Sequence, residues 1–218
     1  MINFLNGFSF ANIVPNAMVT APCPDQSCGE LRNGIFVANI KRVDIDYVMN
    51  GKTKSISNSL RNPVVILLES PHKDEYDSIT HMALGPCMGR SGDNFRKKFD
   101  ALIKGSSIFN QLQNLTCDIV LFNTIQYQCS LGLPLAGKVN SNNKKQRDSN
   151  FIACIRNNDF IDRLEAINPH AIINLCTKGT RNLQQIVRDI YNQSTLNVLY
   201  VEGYHPSAWN NSRYQKIN

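Results

Sequence analysis

Glu69-Ser70-Pro71-His72 and His205-Pro206-Ser207 place carboxylate, imidazole and hydroxyl groups at two points far apart in the chain. Each follows a short apolar run, Val64-Val65-Ile66-Leu67-Leu68 before the first and Val198-Leu199-Tyr200-Val201 before the second. Such a run reads as a buried parallel strand that releases polar residues at its carboxyl end, where the ligand crevice of an open α/β sheet lies. A third run, Asp118-Ile119-Val120-Leu121-Phe122, ends in Asn123-Thr124 and sets a carboxamide at a strand terminus. Carboxylates beside imidazoles suit proton transfer and the stabilisation of charge that develops in a transition state. Glu69, Asp74 and Glu75 are the candidate acids, and His72 and His205 the candidate imidazoles.

Taken in order, these segments resemble the uracil-DNA glycosylase superfamily. Its members carry a first motif of the type G-E-A-P-G or G-Q-D-P-Y after a core strand, a strand ending in Asn, and a late H-P-S motif. The counterparts here are Leu68-Glu69-Ser70-Pro71-His72, Leu121-Phe122-Asn123-Thr124 and His205-Pro206-Ser207. The segment from Gly85 to Phe95, GPCMGRSGDNF, looks like the family's P-F-V-G-x-x-G stretch, and that from Asn168, NPHAIINLCTKGTRNLQQI, looks like its strand and Gly-containing turn before the penultimate helix. The resemblance covers roughly residues 62 to 210, and order and spacing carry it rather than any single motif.

The resemblance implies a DNA glycosylase that flips out a pyrimidine and hydrolyses its N-glycosidic bond. With no obvious active-site lysine in the matched motifs we expect it to be monofunctional, with no secretory signal we expect it to be cytoplasmic, and we expect a monomer. The resemblance casts His205 as donor to the leaving base and Glu69 or Glu75 as the carboxylate on the sugar side. Asn123 would read the base edge, with Ser70, His72 and Cys87 around the base. Arg90, Ser91, Gly92 and Ser207 would meet DNA phosphates, and Trp209 would wedge into the stack. Two departures bear on substrate: Cys87 stands where the family has a stacking Phe, and His72 where other branches have Tyr or Gly. Both lead us to expect a wider pocket for uracil or a bulkier C5-modified base, in repair or in defence against phage DNA carrying modified cytosine. Ser70 stands where several branches have their acid, which leaves the catalytic carboxylate open between Glu69, Asp74 and Glu75. A non-catalytic reader of damaged or modified DNA and a metal-dependent phosphoesterase using Glu69, His72, Asp74 and His205 are the rival readings.

Net charge of +6 over 218 residues suits a polyanionic partner. Nine of the 23 basic residues fall in two groups near the candidate motifs, Arg90, Arg96, Lys97, Lys98 and Lys104, and then Lys138, Lys144, Lys145 and Arg147, which we expect to meet phosphate. No apolar run is long enough to span a bilayer, and the first fourteen residues lack the basic flank and apolar core of a secretory signal. Seven cysteines, an odd number without a regular framework, argue against a disulfide-stapled fold. The iron-sulfur branch of the superfamily would have Cys23, Cys28, Cys129 and Cys154 as ligands; buried free thiols and no cofactor are the expectation.

The elements that position these groups follow from periodicity. Residues 1–60 form a β-rich extension, with strands over Gly34–Ile40 and Val43–Val48 and a hairpin at Asn50-Gly51 into Lys52–Ile56. Residues 61–218 form the α/β domain that, by the resemblance, is glycosylase-like. Helices are expected over 94–104, 151–167 and 181–191, a strand over 171–175 and an exposed loop over 137–150. Alternating elements give a three-layer α/β/α fold around a central, mostly parallel sheet.

Overall fold

The computed structural model describes residues 22–39, 60–80, 82–129, 141–156 and 159–218. One six-stranded sheet organises them. Its strands are β1 (Gln26–Arg32), β2 (Ile35–Ala38), β3 (Val64–Leu68), β4 (Thr116–Asn123), β5 (Ala171–Asn174) and β6 (Leu199–Glu202), in the order β2-β1-β4-β3-β5-β6. The strands from β3 to β6 pair in parallel, while β1 pairs antiparallel with β4 and with β2. Every residue of β3 is buried because both faces are covered: Val64, Ile66 and Leu68 face one apolar layer, and Val65 and Leu67 the other. The three-layer α/β fold is therefore present.

Helix α1 (Arg90–Lys104) covers the first face, with Phe95, Phe99, Leu102 and Ile103 buried at helical spacing. Phe95 and Phe99 stack with ring centres 4.3 Å apart, and Phe36 of β2 meets Phe99 edge-on at 4.9 Å. Each such ring, fully buried, stabilises the fold by roughly 1.5–3 kcal/mol. A short helix α2 (Phe109–Leu112) leads into β4. The second face carries α3 (Ser141–Ile155), α4 (Phe160–Ile167) and α5 (Leu183–Tyr191). Asn168 ends α4 in the left-handed conformation, with Pro169 beyond it.

Three elements differ from the expectations. The loop expected over 137–150 is helical from Ser141, because the face that α3 buries there is polar: Asp148 and Asn150 lie in the interior and make specific hydrogen bonds. The single helix expected over 151–167 is two, with α4 starting afresh after Asp159. Strand β1 was not anticipated. It joins β2 through Asn33-Gly34, both at positive φ (50° and 70°), which is the backbone an Asn-Gly hairpin turn supplies. The described part of the amino-terminal segment thus extends the same sheet. The strand expected over Val43–Val48, the Asn50-Gly51 hairpin and Lys138 lie outside the described residues. Among the described residues, no helix is long and apolar enough to cross a membrane.

Candidate active site

The chain from β3 passes through α1 on one face before reaching β4, whereas the chain from β5 passes through α5 on the other before reaching β6. The neighbouring strands β3 and β5 therefore send their connections apart, and a crevice opens at their carboxyl ends. There lies a cleft of about 380 Å³, bordered by Glu69, Ser70, Pro71, His72, Asp74, Glu75, Gly89, Arg90, Ser91, Arg147, Thr177, His205 and Ser207. Of the residues singled out in the sequence, this brings together Glu69, Ser70, His72, Asp74, Glu75, Arg90, Ser91, Arg147, His205 and Ser207.

Glu69 spans the crevice. Its carboxylate accepts the Thr177 backbone N–H at 2.7 Å and the Thr177 hydroxyl at 3.1 Å, tying the end of β3 to the loop after β5. The Arg147 guanidinium stands 3.8 Å away and is itself held by Asp148 through Nε (3.0 Å) and Nη2 (2.7 Å). Asp148 also accepts the Thr180 N–H and hydroxyl, both at 2.6 Å. Although burial opposes it, these hydrogen bonds from Thr180 and Arg147 hold the Asp148 carboxyl below the usual carboxylate range. Gly179 allows the approach: its φ is +58°, and a Cβ there would sit 2.7 Å from the Asp148 carboxylate. The sequence assigns Thr177 no place in the site, although the Thr-Lys-Gly-Thr turn after a strand is an available signal for it. Arg147 stands there only as one of a basic group expected to meet phosphate, not as a partner of Glu69.

His205 caps the 3-10 turn Pro206–Ala208. Its Nδ1 accepts the Ser207 N–H at 3.2 Å and lies 2.8 Å from the Ser207 hydroxyl. A ring nitrogen that accepts a backbone N–H carries no proton, so the neutral ring holds its proton on Nε2. Burial lowers the His205 pKa, against the pull of Glu69, and this favours the neutral ring. Helix α1 fixes the turn: the Asn94 amide donates to the Pro206 carbonyl at 2.8 Å, and the Lys98 ammonium donates to the Trp209 carbonyl. The amino end of α1 reaches the cleft at Arg90 and Ser91, with no side-chain cap on its first turn, so its N–H groups add positive potential there. Gly92 permits the seating of α1, since a Cβ would lie 1.5 Å from the Cys87 carbonyl oxygen. At the opposite rim the exposed His72 places Nδ1 3.4 Å from the Asp74 carboxylate.

Glu75 is buried where it meets the cleft wall. It accepts the Cys87 N–H at 3.0 Å and the Asn123 amide at 3.4 Å, with the Cys23 sulfur 3.8 Å away. Burial outweighs those bonds and pushes its carboxyl up to about 8, so Glu75 is mainly protonated at neutral pH.

Three sequence assignments are corrected by this geometry. Asn123 turns its amide to Glu75 and does not border the cleft; its Oδ1 is buried without a hydrogen-bond partner among the described residues. Cys87 buries its side chain in the apolar layer under α1 and serves the site only through its backbone N–H, so it forms no stacking wall. Trp209 is fully buried against Phe95, with its indole N–H donated to the Tyr204 carbonyl at 2.7 Å; it is a core residue, not a wedge. The cysteines do not form a cluster site either. Cys28 belongs to the layer under α1, Cys129 and Cys154 to the opposite layer, and Cys23 sits beside Glu75. Among the described residues no three His, Cys, Asp or Glu side chains gather to hold a metal ion, the set Glu69, His72, Asp74 and His205 included. Comparison with protein-family models, with curated proteins and with solved structures finds no match for this chain.

Proposed function

We propose that the protein is a monofunctional DNA glycosylase, acting on an extruded pyrimidine that is uracil or a bulkier C5-modified base, modified cytosine of phage DNA included. One observation carries the reading. A neutral imidazole with Nδ1 engaged by Ser207 shares a cleft with a carboxylate held rigid by Thr177. Breaking an N-glycosidic bond leaves negative charge on the base and positive charge on the sugar, so complementary groups on two sides of the scissile bond are what the reaction needs. His205 donates its Nε2 proton in a hydrogen bond to the departing carbonyl oxygen. Glu69 faces the sugar cation and orients the water whose oxygen bonds to C1′; the proton of that water passes to the carboxylate, and the base leaves with the bonding electrons. Arg147 and the amino end of α1 supply positive charge for the flanking phosphates.

Neither Asn123 nor Cys87 borders the cleft, so base recognition in this reading falls to Ser70, His72 and the adjacent backbone. The exposed His72 leaves the rim open where a closed gate would reject a C5 substituent. The second reading, a non-catalytic reader of damaged or modified DNA, is favoured by the engagement of both Glu69 oxygens with Thr177. Incubation with uracil-containing DNA and with glucosylated hydroxymethylcytosine DNA, followed by alkali, separates the two. Strand breaks at the marked base are expected from the glycosylase; tight binding without any break would establish the reader.

A further inference from the structure

With Trp209 buried, the aromatic pair left beside the late motif is Tyr204 and Tyr214. Tyr204 immediately precedes His205, and Tyr214 closes the 3-10 turn Ser212–Tyr214. Both are half-buried, and their rings lie 4.9 Å apart at an angle of 53°. Each carries a cation: the Lys178 ammonium stands 5.6 Å over the Tyr204 ring, and the Arg213 guanidinium 4.5 Å over the Tyr214 ring. Lys178 and Arg213 are exposed, and Lys178 follows Thr177, the residue that holds Glu69. The backbone beneath is fixed by the Trp209 indole on the Tyr204 carbonyl and by the pairing of Gly203 with Ile217.

Two rings with two cations, joined to the cleft lining through Tyr204 beside His205 and Lys178 beside Thr177, match the chemistry of a strand whose bases are unstacked. Aromatic and guanidinium planes receive base faces, and the charges meet the phosphates between them. A duplex keeps its base faces covered and offers only its phosphates to such a surface. We infer that Tyr204, Tyr214, Lys178 and Arg213 form a platform for single-stranded DNA, gripping nucleotides next to the one that enters the cleft. The inference rests on the reading of the cleft as a DNA site, and it names the strand form that the cleft takes.

Fluorescence anisotropy with an unmodified, mixed-sequence oligonucleotide, single-stranded and as a duplex, tests the platform without any base release. The expected result is tighter binding of the single strand, weakened about ten-fold or more by Tyr214→Ala and little changed by Tyr214→Phe, which keeps the ring. Lys178→Gln and Arg213→Gln should each flatten the dependence of log affinity on log salt by about 0.7. Equal or tighter binding of duplex, or unchanged single-strand affinity in a folded Tyr214→Ala protein, overturns the inference. Single-strand preference in a protein that releases no base from any substrate counts against the glycosylase reading and leaves the platform standing.

Discussion

The carboxyl ends of β3 and β4 are neighbours in one sheet, both polar, and they have opposite fates. At the end of β4, the Arg163 guanidinium donates to the Asn123 and Thr124 carbonyls at 3.1 and 3.0 Å, pairs with Asp25 and Asp159, and lies 4.4 Å over the Phe122 ring. Its side chain is 9 % exposed, so this end of the sheet is sealed. At the end of β3, the Glu69 carboxylate takes its hydrogen bonds from Thr177, stands 3.8 Å from the Arg147 guanidinium, and borders a cleft with His205 and the amino end of α1. The difference teaches that a polar residue at a strand end opens onto a cleft only where the fold leaves its neighbours unsealed. Connections that diverge from β3 and β5 leave the gap, whereas α4 brings Arg163 over β4 and closes it.

The largest expected effect lies on the sealed side. Arg163→Met leaves Asp25 as an uncompensated buried carboxyl and frees two carbonyls, which should lower the unfolding free energy by about 3–5 kcal/mol in urea denaturation. A loss below about 1 kcal/mol would show that β4 is not held closed by this cation.

Glu75 lies between the two regions, and pH reports on it. A carboxyl raised to about 8 in the folded protein keeps a proton that the unfolded chain releases near the ordinary value of 4.5. Its contribution to stability is therefore full below about pH 4.5 and is lost as pH rises toward 8. Between pH 6 and 8 the loss amounts to up to about 3 kcal/mol, at roughly 1.4 kcal/mol per unit. Glu75→Gln has no charge to bury, so its melting temperature relative to wild type should climb across that window. A constant gap between the two proteins would place Glu75 in contact with water. Smaller again is Gly179→Ala, which strains a left-handed residue and crowds Asp148. About 1–2 kcal/mol of stability should be lost, with weaker base release as Arg147 shifts; an unaffected protein would show that the Thr177–Thr180 turn adapts freely.

Much of this architecture is legible in the residues because it rests on apolar pattern. VVILL of β3 and AIIN of β5 are continuous runs with polar ends, and α1 repeats its apolar side chains at helical spacing. The strand ends then place Glu69 and His205 near one another without knowledge of any contact. What stayed hidden has polar or tertiary causes. The first half of α3 buries Asp148 and Asn150 in place of apolar residues, so no period announces it. In β1 a register shift between Ser27 and Gly29 leaves Cys28 and Leu31 as its buried residues, three apart, which breaks the alternation of a strand. Asn123, Cys87 and Trp209 sit close in sequence to the cleft elements but do not border it, because Glu75, the underside of α1 and Phe95 take up their side chains. Only packing decides that, and a motif does not record it.

The central claim is that catalysis belongs to the open end at β3 and β5 and that β4 only supports it. Single-turnover base release by wild type, His205→Ala and Asn123→Ala, measured on one cleavable oligonucleotide with the fold of each variant checked by melting, tests this most directly. The account predicts a loss of about a hundred-fold or more for His205→Ala, the scale of removing a transition-state donor, and less than about ten-fold for Asn123→Ala. Normal release by His205→Ala, or a loss in Asn123→Ala as large as that in His205→Ala, would contradict it.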